Sequence, residues 1–266
     1  MNTILVTAVF AAGLALVLGV LLGVFRKVFH VETDVLVGAI RETLPGANCG
    51  ACGFPGCDGF AAAVASGEAE AVGCTVSDAD STKKRAALTG GQGELIPQIA
   101  VVACRGTHAA APDKGLYTGS KTCRAAKISA GGTKLCAWGC IGYGDCIGIC
   151  PFGALVMGAD GVPVVNSKLC KGCKRCLAEC PQGIIRIIRA DAKGVLAYCN
   201  NRNTVKAQVR KTCKNGCMKC ELCVKKCPES AITMNNGIPD IDYAKCTSCG
   251  ACTEACPQKV LNLLPV

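Results

Sequence analysis

Three stretches of this chain carry cysteines in one repeated pattern with a trailing proline. They are Cys170-x2-Cys173-x2-Cys176-x3-Cys180-Pro181, Cys217-x2-Cys220-x2-Cys223-x3-Cys227-Pro228 and Cys246-x2-Cys249-x2-Cys252-x3-Cys256-Pro257. A fourth stretch, CAWGCIGYGDCIGICP from Cys136 to Pro151, overlays CKNGCMKCELCVKKCP from Cys213 to Pro228 without a gap. Cys136, Cys140, Cys146 and Cys150 then fall on Cys213, Cys217, Cys223 and Cys227, but Tyr143 stands where the later stretch has Cys220. Thiolates at these spacings hold iron–sulfur clusters, whose chemistry is the passage of single electrons.

The spacing fits the bacterial ferredoxin run, in which the fourth cysteine ligates the other cluster of a pair. That crossing predicts the ligand sets. One cluster takes Cys217, Cys220, Cys223 and Cys256; its neighbour takes Cys227, Cys246, Cys249 and Cys252. In the earlier pair, Cys150, Cys170, Cys173 and Cys176 make one cluster, and Cys140, Cys146 and Cys180 belong to the other. Tyr143 leaves that last set a ligand short. Cys136 is the expected substitute, because the longer gap from Cys140 to Cys146 gives it room to swing in. Cys104 or Cys123 could fill the place instead, or the site could hold three cysteines only.

A further set, Cys49-x2-Cys52-x4-Cys57-x16-Cys74, lies in and after LPGANCGACGFPGCDGF. Gly50, Gly53 and Gly56 let the backbone wrap tightly and turn N–H groups toward sulfur. Four cysteines also suit structural zinc, but beside the other runs a fifth [4Fe–4S] cluster is the expectation. Cys104, Cys123, Cys199 and Cys213 are left over. Cys104 in VVACRG and Cys199 in LAYCNN occupy matching points ahead of each repeat. They read as buried free thiols, with a sixth cluster as the alternative. Trp138, His30 and His108 read as packing or surface residues.

The elements that must position these cysteines follow an α+β plan. Thr3 to Phe25 holds no charge and is long enough to cross a bilayer as a helix. Arg26 and Lys27 follow it, which predicts an N-terminus outside and everything later on the cytoplasmic side. Ala11, Ala15, Gly19 and Gly23 form a stripe suited to packing on another membrane helix. The predicted divisions are 1–25 as transmembrane anchor, 26–35 as juxtamembrane link and 36–85 as a four-cysteine domain, helical around AAAVASGEAEAV. A connecting segment over 86–130 leads to ferredoxin-like units at 131–195 and 196–266. Within each unit, apolar runs flank a turn (Asp160-Gly161 and Asn236-Gly237), which predicts a hairpin between cysteine loops.

The chain has 266 residues, 24 of them cysteine, and a formal charge of +10 that counts every cysteine as neutral. Each cluster with its four thiolates carries roughly −2, so about five would cancel that charge. With 4% aromatic residues for base stacking, no nucleic-acid partner is expected. Neither a dinucleotide fingerprint nor a P-loop is present in the sequence. The anchor has no ionisable side chain between Asn2 and Arg26, so it offers no path for an ion.

LPGANCGACGFPGCDGF with Cys74, placed after one membrane helix and before ferredoxin units, resembles the B-subunit family of the Rnf electron-transport complex. The stretch TCRAAKISAGGTKLCAWGCIGYGDCIGICPFGAL resembles the longer form within that family. The resemblance implies a membrane-bound ferredoxin:NAD⁺ oxidoreductase that exports Na⁺ or H⁺, with other Rnf-type membrane and NAD-binding subunits as partners. This chain would take electrons from soluble reduced ferredoxin and relay them through about five clusters, with no complete active site of its own. Related roles are keeping a redox-sensing transcription factor reduced, or serving a membrane hydrogenase as its polyferredoxin. Between Lys206 and Lys226 the chain is strongly basic. Lys211, Lys214 and Lys219 are therefore the expected docking residues for an acidic ferredoxin, unless these lysines only offset the charge of their own cluster.

Overall fold

The computed structural model describes residues 2–29, 34–91 and 96–264. His30 and part of the Gly-rich joint, 92–95, lie outside the described residues. The chain begins with α1 (Asn2–Val28), uncharged until Arg26 and Lys27 in its last turn. From Leu5 on its side chains are exposed on every side, Phe10 at 80%. Apolar surface of that length all round a helix calls for lipid or partner helices to cover it.

Three helices build the next unit: α2 (Val35–Glu42), α3 (Gly56–Ala65) and α4 (Ala79–Thr89). Asp34 caps α2 by accepting from Leu36 N at 2.9 Å, and Asp78 caps α4 by accepting from Ser81 N at 2.7 Å. Ile40 of α2 packs on Phe60, Ala61 and Val64 of α3. Arg85 of α4 is fully buried beneath them. The helix expected through AAAVASGEAEAV stops halfway, because Gly67 turns left-handed and Glu68 N bonds back to Ala63 O.

The rest is one α+β motif made twice. The first copy runs β1 (Gln98–Val102), α5 (Cys123–Ala130), α6 (Asp145–Gly148), β2 (Leu155–Met157), β3 (Pro163–Val165), α7 (Arg175–Glu179) and β4 (Ile185–Arg189). The second runs β5 (Val195–Ala197), α8 (Lys206–Thr212), α9 (Leu222–Lys226), β6 (Ile232–Asn235), β7 (Ile238–Ile241), α10 (Ala251–Glu254) and β8 (Leu261–Leu263). In each, the outer strands pair antiparallel, β1 with β4 and β5 with β8, and the inner hairpin pairs β2 with β3 or β6 with β7. The expected hairpins are thus present. The connecting segment expected over 86–130 needs correction. Its apolar run IAVV is β1, an outer strand of the first copy, and α5 belongs to that copy as well.

The copies meet along a seam. Lys214 N donates to Ala110 O at 2.8 Å, Asn215 Nδ2 to Arg105 O at 2.9 Å, and Asn200 Nδ2 to Gln182 O at 2.9 Å. They differ in one long insertion. Thirty-one residues separate Cys104 from Cys136, against thirteen between Cys199 and Cys213.

Candidate iron–sulfur centres

All 24 cysteines are free thiols, and the fold sorts twenty of them into five groups of four. In the second copy, Cys217, Cys220, Cys223 and Cys256 line one apolar hollow, and Cys227, Cys246, Cys249 and Cys252 line the next. In the first copy, Cys150, Cys170, Cys173 and Cys176 line a third. In each case the fourth cysteine comes from the partner run. Cys49, Cys52, Cys57 and Cys74 gather at the core of the three-helix unit.

The loops that present these sulfurs share a backbone device. Two residues after the first cysteine the chain turns left-handed, at Gly142, Gly172, Lys219 and Ser248. It does so again at Gly144, Lys174, Glu221 and Gly250. Such paired turns aim successive N–H groups inward, which favours an anion in the hollow. Gly172 has a second reason to be glycine, since a Cβ there would sit 2.6 Å from Gln98 O of β1. Gly50, Gly53 and Gly56 also take positive φ, and Asn48 Oδ1 accepts from Cys57 N at 2.8 Å to close that loop.

The loop containing Tyr143 keeps the same curl without the second cysteine. Cys140, Cys146 and Cys180 line its hollow, and Cys123 completes the group. Cys136 is not there, which corrects the expectation that it fills the gap. The reason is the inserted segment. It carries Cys123 on the first turn of α5, and Asp145 of α6 anchors that turn. The Asp145 carboxylate accepts from Cys123 N at 2.9 Å and from Arg124 N at 3.1 Å. Backbone N–H groups of Tyr143, Gly144 and Asp145 face the Cys123 sulfur. The loop that lacks a thiol of its own therefore cradles one from elsewhere. Cys123 was one of the alternatives to Cys136 in the sequence, and the Thr122 cap of α5, which accepts from Ala125 N at 3.2 Å, sets it on a helix start.

Burial raises the thiols. Loss of water pushes Cys140 and Cys146 up to about 12 and Cys176, Cys217 and Cys252 up to about 11, and neighbouring cysteines push them in the same direction. A bound cation core is what would favour their thiolates. Among the described residues, no three His, Cys, Asp or Glu side chains converge on a single ion. A zinc ion about 2.3 Å from each sulfur would need that convergence, whereas a cubane offers each thiolate its own iron.

Of the expected docking residues, Lys211 and Lys214 are exposed, but Lys219 is 7% exposed. Its left-handed backbone folds the side chain against the Gly237 turn. Lys219 is therefore removed from the docking set. Trp138 packs on Ala110, Ala111, Cys136 and Cys213, and His108 lies on the surface.

Thiols gathered in fours, within reach of amides and mostly buried or half-buried, suit one-electron transfer, and the molecule is an iron–sulfur electron carrier with ferredoxin-type units. Family models agree along its length: an Fe-S cluster model matches residues 44–76, a 4Fe-4S binding domain 163–186, and a 4Fe-4S dicluster domain 216–260. The chain is 37% identical over 265 residues to the B subunit of an ion-translocating oxidoreductase complex from Methanosarcina acetivorans, spanning 99% of this chain and 100% of that one. It is 39% identical to the B subunit of the Na(+)-translocating ferredoxin:NAD(+) oxidoreductase complex of Acetobacterium woodii, over 92% of this chain and 74% of the relative. With the proton-translocating counterpart from Clostridium ljungdahlii it shares 36% identity over 93% and 87% of the two chains. The chain belongs to the B-subunit family of the ion-translocating oxidoreductase, or Rnf, complexes, and is an electron-transfer member carrying 4Fe–4S centres.

Proposed function

We propose that this chain takes electrons from soluble reduced ferredoxin and relays them inward to partner subunits that reduce NAD⁺ and export Na⁺ or H⁺. The proposed ligand sets are Cys49, Cys52, Cys57 and Cys74; Cys123, Cys140, Cys146 and Cys180; and Cys150, Cys170, Cys173 and Cys176. Two more are Cys217, Cys220, Cys223 and Cys256, and Cys227, Cys246, Cys249 and Cys252. A [4Fe–4S] cluster supplies one-electron exchange at each. The chain's own part is to hold the groups in order and keep water from their inner faces.

The observation that carries this reading is that order. Cys173 packs in the same buried cluster as Cys49, and Cys146 in the same one as Cys176. The helical unit's group thus adjoins the Cys170 group, which adjoins the Cys140 group. In the second copy Cys252 feels Cys223, so those two groups adjoin as well. Cys220 and Cys249 are exposed, while the inner groups are buried or half-buried. The outer face of the second copy is where a soluble donor can come close, and α1 ties the other end to the membrane. Arg26 and Lys27 support an orientation with the Fe–S units on the cytoplasmic side.

In membranes carrying the assembled complex, Cys223→Ala is expected to abolish ferredoxin-driven NAD⁺ reduction. Oxidation of NADH by a small artificial acceptor should persist, because that reaction needs only the nicotinamide-binding partner. Undiminished ferredoxin-driven reduction would overturn the proposal.

A further inference from the structure

We propose that Cys104, Cys136, Cys199 and Cys213 form a sixth four-thiolate site for a [4Fe–4S] cluster, built at the seam between the two copies. It rests on the reading that the other cysteine groups hold clusters.

The four come together from far apart in sequence, two from each copy. Cys136 and Cys213 share one buried patch beneath Trp138. Asn201, fully inside the seam at 1% exposure, donates from Nδ2 to Cys136 Sγ at 3.6 Å. Cys104 Sγ accepts from Cys140 N at 3.4 Å, and Cys199 Sγ accepts from Cys217 N at 3.4 Å. The Cys213 thiol is raised by burial first, and then by the charges of Cys136, Cys104 and Cys199 together. All four sulfurs thus face one small region.

Each sulfur is also met by the backbone N–H two residues on. Gly106 N reaches Cys104 Sγ at 3.3 Å, and Trp138, Asn201 and Asn215 serve Cys136, Cys199 and Cys213. The same step of two recurs at Cys140 with Gly142, Cys173 with Arg175 and Cys217 with Lys219, all members of the groups already described. A thiol packed as a small hydrophobe has no need of such donors. Four in one place, each with the donor pattern of its neighbours, are arranged for negative charge.

A cation waits beside them. Lys219 is nine-tenths buried and its Nζ has no hydrogen-bond partner among the described residues. Burial raises the Cys199 thiol, and the Lys219 charge acts against that rise. A buried, unpaired ammonium is costly unless an anion stands near it. A four-thiolate cluster carries roughly −2 and meets that need.

The location gives the site its use. Through Cys104 it adjoins the Cys140 group, and through Cys199 it adjoins the Cys217 group. Without it the relay has a break between the copies. With it, one electron at a time can come from one neighbour and leave to the other, with no bond broken and no proton moved. All 24 cysteines then fall into complete sets of four.

The test is metal and sulfide analysis of the full-length chain purified without oxygen. About 24 iron and about 24 acid-labile sulfide per chain are expected, and Cys199→Ala and Cys213→Ala should each retain about 20. About 20 iron in the unaltered chain, unchanged in both variants, would sink the sixth site; so would one zinc per chain in place of about four iron. Should either variant fail to fold, the count on the unaltered chain decides. Cys223→Ala and Cys252→Ala separate this proposal from the one beneath it. Iron lost there but not at Cys199 and Cys213 removes only the sixth site, whereas no loss at any of the four removes the whole set of assignments.

Discussion

Asp145 links two jobs that belong to different elements. It opens α6, just before Cys146, and its carboxylate holds the first turn of α5 so that Cys123 faces the same hollow. The residue test follows from this. Cys123→Ala is expected to cost about four iron per chain, and Tyr143→Cys in that background should restore them by returning the x2 spacing of the other runs. Iron and sulfide analysis, with the reduced-state electron paramagnetic resonance spectrum, checks both steps. At this scale most of the cysteine groupings were legible, because spacing inside a run is local and the crossing of the fourth cysteine follows from it. Cys123 stood only as an alternative to Cys136, and the place of Cys136 was not legible. Their places depend on how an inserted segment folds back and on how two copies meet, and neither contact leaves a period in the sequence.

Arg85 shows what an element needs when its metal must do much of the work of a core. It lies fully buried on α4 and donates through Nε to Ala71 O and through its other nitrogens to Thr43, Ser77 and Thr82 at 3.3 Å. Its guanidinium sits 5.8 Å from the Phe60 ring centre. Every acceptor named is neutral, and burial pulls its pKa down from the ordinary arginine value. Arg85→Met would leave those carbonyls and hydroxyls without donors and is expected to destabilise the three-helix unit by about 3 kcal/mol. Thermal unfolding of the full chain, followed in the visible absorbance of the clusters, reads this. The hairpins were legible from short apolar runs flanking the Asp-Gly and Asn-Gly turns. The pairing of β1 with β4 was not, because nothing in IAVV says that its partner lies more than eighty residues on.

For the whole molecule, one run of exposed basic residues stands on the second copy, around α8 and α9. Lys206, Arg210, Lys211, Lys214, Lys225 and Lys226 are all exposed, with Arg210 and Lys211 in the last turn of α8 and Lys225 and Lys226 in that of α9. Reversing Lys211, Lys214, Lys225 and Lys226 to Glu should slow oxidation of an acidic ferredoxin by about tenfold at low ionic strength. The difference should fade as salt screens the field. Electron transfer from a small neutral reductant, measured by stopped-flow on the same variant, is expected to stay unchanged; equal slowing would point to damaged clusters rather than to docking.

The exposure of Cys220 and Cys249 also decides how this protein fails in air. Oxygen and peroxide attack accessible sulfur and its iron before anything behind it, so corrosion starts at the donor-facing tip and works inward. If the groups stand in series as proposed, losing the outermost one silences the rest while leaving them chemically sound. A briefly aerated sample would keep most of its brown colour and most of its iron, yet on the proposed role be deaf to ferredoxin.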